Sequence, residues 1–256
     1  MRSAEQFDAA KRLIADGLND CAIARQIGVP RTTVRDWRRR PAIRSRDLGA
    51  PCGVTHNFSL LPTAPYCYVL GQYLGDGCIS RHPRCWRLRI TLDTKYPAIV
   101  ERCRHAVDKL MPGQRARVLR RSDGCTDVWL CSKHWPCLFP QHGPGKKHTR
   151  PIALEPWQQA LVDQATEEFI LGLIHSDGCR VVANDRGVMS IRYHFSNRSE
   201  DIIGLFTAAL DAVDIPWTRS TKYIVSIYRK AATARLDTFI GPKDRAVPLN
   251  GVHYAA

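Results

Sequence analysis

Apolar positions repeat with a helical period in the first part of the chain and give way to mixed periods later. Through residues 1–41, apolar side chains return every three or four positions, as on the inner face of an amphipathic helix. Gly17 and Gly28 interrupt this pattern, and Pro41 ends it. The pattern predicts an all-α domain of three short helices, the third over residues 31–39.

The second and third predicted helices have the spacing of a helix-turn-helix. Ala24 is small enough for two helices to approach, Gly28 permits a left-handed turn, and Val34 fills the space between them. Helix-turn-helix proteins place the second of these helices in the major groove. The candidate DNA-binding residues of the third helix are Arg31, Thr32, Thr33, Arg35, Arg38 and Arg39. A three-helix cap with a solvated basic face is the alternative.

Residues 42–65 form a linker rich in proline and glycine, and the rest of the chain is a tandem repeat. The segment VLGQYLGDG at 69–77 returns as ILGLIHSDG at 170–178, an offset of 101 residues. Each copy is followed by alternating strands and an amphipathic helix, in the order α-β-β-α-β-β-α. The periodicity predicts an α+β fold with antiparallel sheets, in two pseudo-symmetric halves. The expected boundaries are 66–140 for the first repeat, 141–163 for a connector, and 164–256 for the second repeat and tail.

The repeated motif places small residues four positions apart on one helix face. Gly71 with Gly75, and Gly172 with Ser176, would let the two motif helices approach backbone to backbone. The sequence thus predicts a tight pseudo-twofold seam between the copies.

Each motif helix is expected to end in an aspartate followed by a left-handed glycine, Asp76-Gly77 and Asp177-Gly178. A carboxylate at a helix C-terminus opposes the helix dipole, and a second carboxylate nearby adds repulsion. Folding does not require this arrangement, whereas a divalent cation between the aspartates would relieve it.

The predicted strands alternate between core and solvent positions. We expect Leu88, Ile90 and Leu92 to be buried. The side chains expected on the opposite face, or in the third strand region, as DNA contacts are Arg87, Arg89, Arg115, Arg117, Arg192 and His194. A solvated sheet face is the alternative.

Charge favours a polyanionic partner. The chain of 256 residues carries 38 basic and 24 acidic side chains, a formal charge of +14, and phosphate neutralisation releases counterions. No apolar run is long enough to span a membrane. The ten cysteines lack a Cys-x-x-Cys pair, which is typical of reduced thiols, so we expect a cytoplasmic, nucleoid-associated protein.

Over residues 66–240 the chain resembles the LAGLIDADG homing endonucleases in their single-chain, two-motif form. The resemblance implies a saddle of two sheets straddling double-stranded DNA, and a monomer. It implies that Asp76 and Asp177 bind Mg2+, with Mn2+ as a substitute, and activate water at two scissile phosphates. The carbonyls of Gly75 and Ser176 would add metal ligands.

Two lysines hold equivalent places after the fourth strand of each repeat, Lys133 and Lys230. The resemblance implies that they stabilise phosphate charge or poise water. The first motif departs from the family pattern at Gln72, where a branched apolar residue is usual, and at Leu74, where the family often has a polar one. The second motif has His175 at the place of Leu74.

Two other functions fit the same sequence. One is a DNA-binding transcriptional regulator that uses this scaffold without cutting, which the fused helix-turn-helix favours and the two retained aspartates disfavour. The other is a maturase for intron RNA. Cleavage of a selected DNA site distinguishes the endonuclease from the regulator.

Overall fold

A computed structural model describes residues 4–39 and 51–243. Pro41, residues 42–50 of the predicted linker and residues 244–256 of the tail lie outside the described ranges. The chain divides into two compact units, Met1–His56 and Asn57–Ala256.

The first unit contains the three predicted helices, α1 (Ala4–Ala15), α2 (Asp20–Ile27) and α3 (Arg31–Arg39). The side chain of Asn19 caps α2 by accepting from two backbone N–H groups. Gly28 ends α2 with a φ of 67°, the left-handed conformation expected of it. The small core consists of Phe7, Ala10, Ile23, Val29, Val34 and Trp37.

The second unit contains two copies of one α+β arrangement, which confirms the predicted fold class and element order. The first copy is α4 (Thr63–Asp76), β1 (Gly77–Arg81), β2 (Trp86–Asp93), α5 (Pro97–Leu110), β3 (Arg117–Arg120), β4 (Cys125–Ser132) and α6 (Trp135–Leu138). A connecting helix α7 (Pro156–Gln164) follows. The second copy is α8 (Thr166–Asp177), β5 (Gly178–Asp185), β6 (Val188–Ser196), α9 (Glu200–Ala212), β7 (Thr218–Thr221), β8 (Ile224–Ile227) and α10 (Lys230–Asp237).

Each copy forms a four-stranded antiparallel sheet, with the orders β1-β2-β4-β3 and β5-β6-β8-β7. Leu88, Ile90 and Leu92 are buried as predicted, and they join one core that both motif helices share. No helix in the described residues is both long and apolar enough to cross a lipid bilayer.

The motif helices α4 and α8 approach at backbone distance along the predicted seam. A Cβ added to Gly71 would lie 2.7 Å from the backbone N of Leu173 and 2.7 Å from the backbone O of Phe169. A Cβ on Gly172 would collide with the carbonyl oxygen of Tyr68. Side chains larger than hydrogen therefore do not fit at the centre of this seam.

The prediction of left-handed glycines after the aspartates was wrong. Gly77 has φ −87° and ψ 153°, and Gly178 has φ −106° and ψ 167°, because each helix runs directly into an extended strand. Space is what restricts these positions. A Cβ would come within 2.5 Å of Tyr73 Cα at Gly77 and within 2.7 Å of Ile174 Cα at Gly178.

Candidate active site

Helices α4 and α8 end side by side, and their last residues are Asp76 and Asp177. A Cβ on Gly75 would lie 2.9 Å from Oδ2 of Asp177, so the second carboxylate reaches across the seam to the residue preceding the first. Asn197, just after β6, donates from Nδ2 to Oδ2 of Asp177 at 2.6 Å. The seam thus delivers both predicted metal-binding carboxylates to one end of the helix pair.

Both carboxyl groups have raised pKa values. Asp76 borders an open cleft, yet the surrounding protein removes much of its water, and this with repulsion from Asp177 raises its pKa to about 6. Burial also raises the pKa of Asp177, against the lowering by the Asn197 hydrogen bond and by two lysines. The same two lysines, Lys147 and Lys243, act on Asp76.

Lys147 and Lys243 cap the carbonyl ends of the two motif helices in the same way. Nζ of Lys147 donates to the carbonyls of Gly75 at 2.9 Å and Gly77 at 2.6 Å. Nζ of Lys243 donates to the carbonyls of His175 at 3.0 Å and Gly178 at 2.8 Å. A cation at this place complements the helix dipole. Burial is the main cause that lowers the pKa of Lys147 to about 8 and that of Lys243 below its ordinary value.

Two clefts flank the helix ends, and each combines parts of both repeats. One, of about 430 Å3, is bordered by Asp177 from the second repeat and by Cys78 and Lys147, which follow the first motif. The other, of about 220 Å3, is bordered by Asp76 from the first repeat and by Cys179 and Lys243 from the second. We call these the Asp177 cleft and the Asp76 cleft. Each holds a carboxylate from one repeat and an ammonium group that caps the opposite motif helix.

Lys147 and Lys243 are not among the site residues predicted from the sequence, although the sequence carries a signal for both. Both follow the last helix of a repeat and a Gly-Pro pair, in Gly143-Pro144-Gly145-Lys146-Lys147 and in Gly241-Pro242-Lys243. Residues 143–147 lie within the predicted connector over residues 141–163.

Lys133 and Lys230, the lysines predicted from the resemblance, lie elsewhere. Lys133 is exposed after β4, and Lys230 is exposed at the start of α10. Neither borders the Asp177 cleft or the Asp76 cleft. Their proposed catalytic role remains a prediction.

Gln72 of the first motif and His175 of the second interact with one another through Tyr68. Nε2 of Gln72 donates to the Tyr68 hydroxyl at 2.9 Å, and this hydroxyl lies 3.0 Å from Nδ1 of His175. Burial lowers the pKa of His175 well below its ordinary value. Gln72 and His175 therefore belong to a neutral polar bridge across the seam, and neither side chain is hydrogen-bonded to Asp76 or Asp177.

The donor set suits a hard divalent cation such as Mg2+, which prefers oxygen ligands. The carboxylates of Asp76 and Asp177 at the ends of the two motif helices provide such ligands. The carbonyl of Gly75, a predicted ligand, is occupied by Lys147. The hydroxyl of Ser176 donates back to the carbonyls of Gly172 and Leu173. The carbonyl of Ser176 remains its predicted ligand.

The predicted DNA contacts of the larger unit fall into two groups. Arg87, Arg89 and Arg117 lie on strands, on the sheet face opposite the buried Leu88 and Ile90. Arg115 precedes β3 and is exposed, with Nη1 3.4 Å from Oδ2 of Asp108. In the second repeat, Arg192 forms an ion pair with Asp185, and Nδ1 of His194 lies 2.8 Å from the hydroxyl of Ser226.

The predicted DNA contacts of α3 are mostly on its surface. Arg31, Thr32, Arg35 and Arg39 are exposed, and Thr33 is half-buried. Arg38 is used within the unit, because its guanidinium donates to Asp20 Oδ1 at 2.8 Å and to the carbonyl of Leu18 at 2.6 Å.

Residues 5–45 match a sequence family described as a homeodomain-like domain. No curated protein sequence matches the chain.

Several solved structures are similar to the chain at low identity. The homing endonuclease I-DmoI, solved with DNA and Mn, is 13% identical with a TM-score of 0.44, over 70% of this chain and 97% of that one. I-WcaI bound to its DNA recognition sequence is 13% identical with a TM-score of 0.46, over 72% and 83%. The LAGLIDADG meganuclease I-AabMI, bound to uncleaved DNA, is 10% identical with a TM-score of 0.43, over 68% and 82%.

Proposed function

We propose that this chain is a sequence-specific DNA endonuclease that hydrolyses phosphodiester bonds with Mg2+ held by Asp76 and Asp177. The observation that carries the proposal is the carboxylate pair at the end of the helix seam, with one lysine in each flanking cleft. Two composite clefts about one pseudo-twofold seam match the two strands of a duplex. The formal charge of +14 fits a polyanionic substrate.

The aspartates, the asparagine and the lysines of the clefts have different roles in this reaction. Asp76 and Asp177 bind the cation, and Asn197 fixes the orientation of the Asp177 carboxylate. Mg2+, when bound, supplies positive charge at the scissile phosphate and acidifies water there. Lys147 and Lys243 stabilise the charge that develops on the phosphate oxygens, since their ammonium groups already face the carboxylates.

Cleavage of a selected DNA site by the purified chain tests the proposal. A site enriched from random duplexes is incubated with the wild type and Mg2+, and strand breaks are measured. We expect cleavage by the wild type, none by Asp76→Asn or Asp177→Asn, and tight binding by all three. A wild type that binds its site tightly but cuts it with neither Mg2+ nor Mn2+ would establish the regulator instead.

A second prediction distinguishes the two candidate lysine pairs. We expect Lys147→Gln or Lys243→Gln to reduce the cleavage rate by about a hundredfold, a size typical of lost transition-state stabilisation. Lys133→Gln and Lys230→Gln are matched controls, with the same change of charge outside the clefts. Single-turnover cleavage rates with saturating protein provide the measurement. Loss of activity in the control pair alone would assign the role to the lysines predicted from the sequence.

The homeodomain-like unit fits this function as a second reader of DNA. We propose that residues 1–41 bind sequence beside the cleavage site through the exposed side chains of α3. Arg35→Ala is expected to weaken binding to the full selected site without changing the cleavage rate at saturating protein, because Arg35 belongs to the other unit.

A further inference from the structure

The two sheets carry rows of side chains at equivalent positions but with different chemistry. Directly paired residues of antiparallel strands project from the same face of a sheet. The row across the first sheet is Cys78, Arg89, Trp129 and Arg117, and the row across the second sheet is Cys179, His194, Ser226 and Thr218. The first row is cationic and aromatic, and the second is small and polar.

Trp129 organises the arginines of the first row. The guanidinium carbon of Arg87 lies 5.3 Å from the ring centroid of Trp129, and that of Arg117 lies 5.4 Å from it. A guanidinium packed on an indole gains a cation–π attraction and loses part of its rotational freedom before it binds anything. Trp129 is half-buried, so the ring supports both arginines on the open face of the sheet.

The arginines of the two sheets also differ in their partners. In the second sheet, Arg192 shares a face with His194 and forms an ion pair with Asp185. Arg180 and Arg219 pair across the sheet with Tyr193 and Val225, so they lie on the buried face. Among the described residues, no arginine of β1–β4 has a carboxylate within ion-pair distance, and Arg87 and Arg117 pack on Trp129 instead.

The second row is connected by neutral hydrogen bonds. Nδ1 of His194 lies 2.8 Å from the Ser226 hydroxyl, which in turn accepts from Ser220 at 2.6 Å. The Thr218 hydroxyl lies 3.0 Å from the Tyr228 hydroxyl. Hydroxyl groups donate or accept according to what they meet, so they discriminate poorly between bases, whereas a fixed guanidinium fits the O6 and N7 acceptors of guanine.

We propose that the two faces read their DNA half-sites by different chemistry, and that Trp129 is a positioning residue that sets the preference of the first. This inference rests on the proposed function. Arg87 and Arg117, held against Trp129, select guanines in one half-site. The hydroxyl and imidazole row of the second sheet tolerates several bases in the other. The bound sequence is therefore asymmetric, and its required guanines lie in the half-site that the first repeat contacts.

Selection of binding sites from random duplex DNA tests this inference without using cleavage. The full chain is used without Mg2+, as wild type, Trp129→Leu, Trp129→Phe and Arg117→Lys. We expect Trp129→Leu to relax a guanine preference at the positions of one half-site, by about tenfold or more. Trp129→Phe, which keeps an aromatic face, restores most of it. Positions read by the homeodomain-like unit stay unchanged and serve as an internal reference.

Arg117→Lys keeps the positive charge but removes the guanidinium that would recognise guanine, so it tests base recognition separately from charge. Arg120→Lys is its matched control. Arg120 lies on the same strand, three residues away and on the other face, since it pairs with the buried Thr126. We expect Arg117→Lys to lose one guanine position at nearly constant salt dependence, and Arg120→Lys to change neither.

Three results would overturn the inference. These are equal guanine preferences in both half-sites, a Trp129→Leu selection identical to that of the wild type, or an equal change in Arg120→Lys. A failure of the proposed function gives a different result. A protein that enriches the asymmetric site but never cuts it would contradict the endonuclease activity and leave the proposed guanine recognition intact. A protein that enriches no sequence would overturn both. Thermal unfolding of each variant verifies that it is folded.

Discussion

At the scale of single residues, the charged carboxylate of Asp76 lowers the free energy of unfolding of the protein without a bound metal ion. Burial and the neighbouring Asp177 raise the pKa of Asp76 to about 6. A carboxyl whose pKa rises on folding binds its proton more tightly in the folded state. The free energy of unfolding therefore falls as the pH rises from about 4 to about 6. Above that range the full cost remains. Such a cost supports the proposal that Asp76 serves binding rather than folding.

We therefore predict that Asp76→Asn stabilises the metal-free protein at pH 8 and changes its stability little at pH 4. Because Asp76 borders solvent, we expect the gain to be only about 1 kcal/mol, which raises the melting temperature by about 2–4 °C. Thermal unfolding in a chelator at the two pH values measures it. Asp163→Asn, at an exposed position on α7, is the control. A lower melting temperature for Asp76→Asn at pH 8 would contradict the prediction.

The site could be predicted from sequence only where the chemistry lies within the repeated motif. Asp76 and Asp177 share the same place in two copies of one pattern, so their pairing follows from the repeat. Lys147 and Lys243 reach the helix ends from loops whose course depends on the packing of the whole unit. Periodicity does not describe such loops, and only the Gly-Pro pair before each lysine marks them.

At the scale of elements, the seam between α4 and α8 depends on the absence of two side chains. Gly71 and Gly172 bring the helix backbones together, and the carboxylates meet because of that approach. The order of helices and strands was predictable because alternating and helical periods are local properties. The backbone of Gly77 and Gly178 was not, since the transition from helix to strand without a turn is set by the sheet that follows.

We predict that Gly172→Ala destabilises the protein by about 1–3 kcal/mol, the usual cost of overpacking, because its Cβ would strike the carbonyl of Tyr68. Gly204→Ala is a matched control within α9, where a Cβ meets nothing within 4 Å. It should stabilise the protein by about 0.5–1 kcal/mol, since alanine favours the helix. Denaturant unfolding of both variants measures the contrast. Equal effects in the two variants would refute the packed seam.

At the scale of the whole molecule, one chain supplies both copies of the motif and both clefts. The seam that a dimer would have to form between two chains is already formed here within the second unit. No further copy is needed to complete either cleft.

We predict that the chain is a monomer of 28.9 kDa in solution and binds one duplex in a 1:1 complex. Sedimentation of the protein alone and with its selected site gives both masses. Repetition at several salt concentrations controls for non-specific clustering of a basic protein on DNA. A stable 2:1 complex on a single site would show that a second chain takes part.

Each cleft contains residues that belong to both repeats, and this limits how far the two copies of the motif can differ at the helix ends. The lysine that follows one copy faces the aspartate of the other, so a substitution in either copy impairs a cleft that both share. Substitutions at the helix ends of the two copies are therefore under one shared constraint. The sheet faces have no such coupling, and there the copies differ. One carries arginines packed on a tryptophan, and the other carries serine, threonine and histidine beside an arginine held in an ion pair. Matched residues at the helix ends and different residues on the two sheet faces are what this coupling predicts for the two copies of the motif.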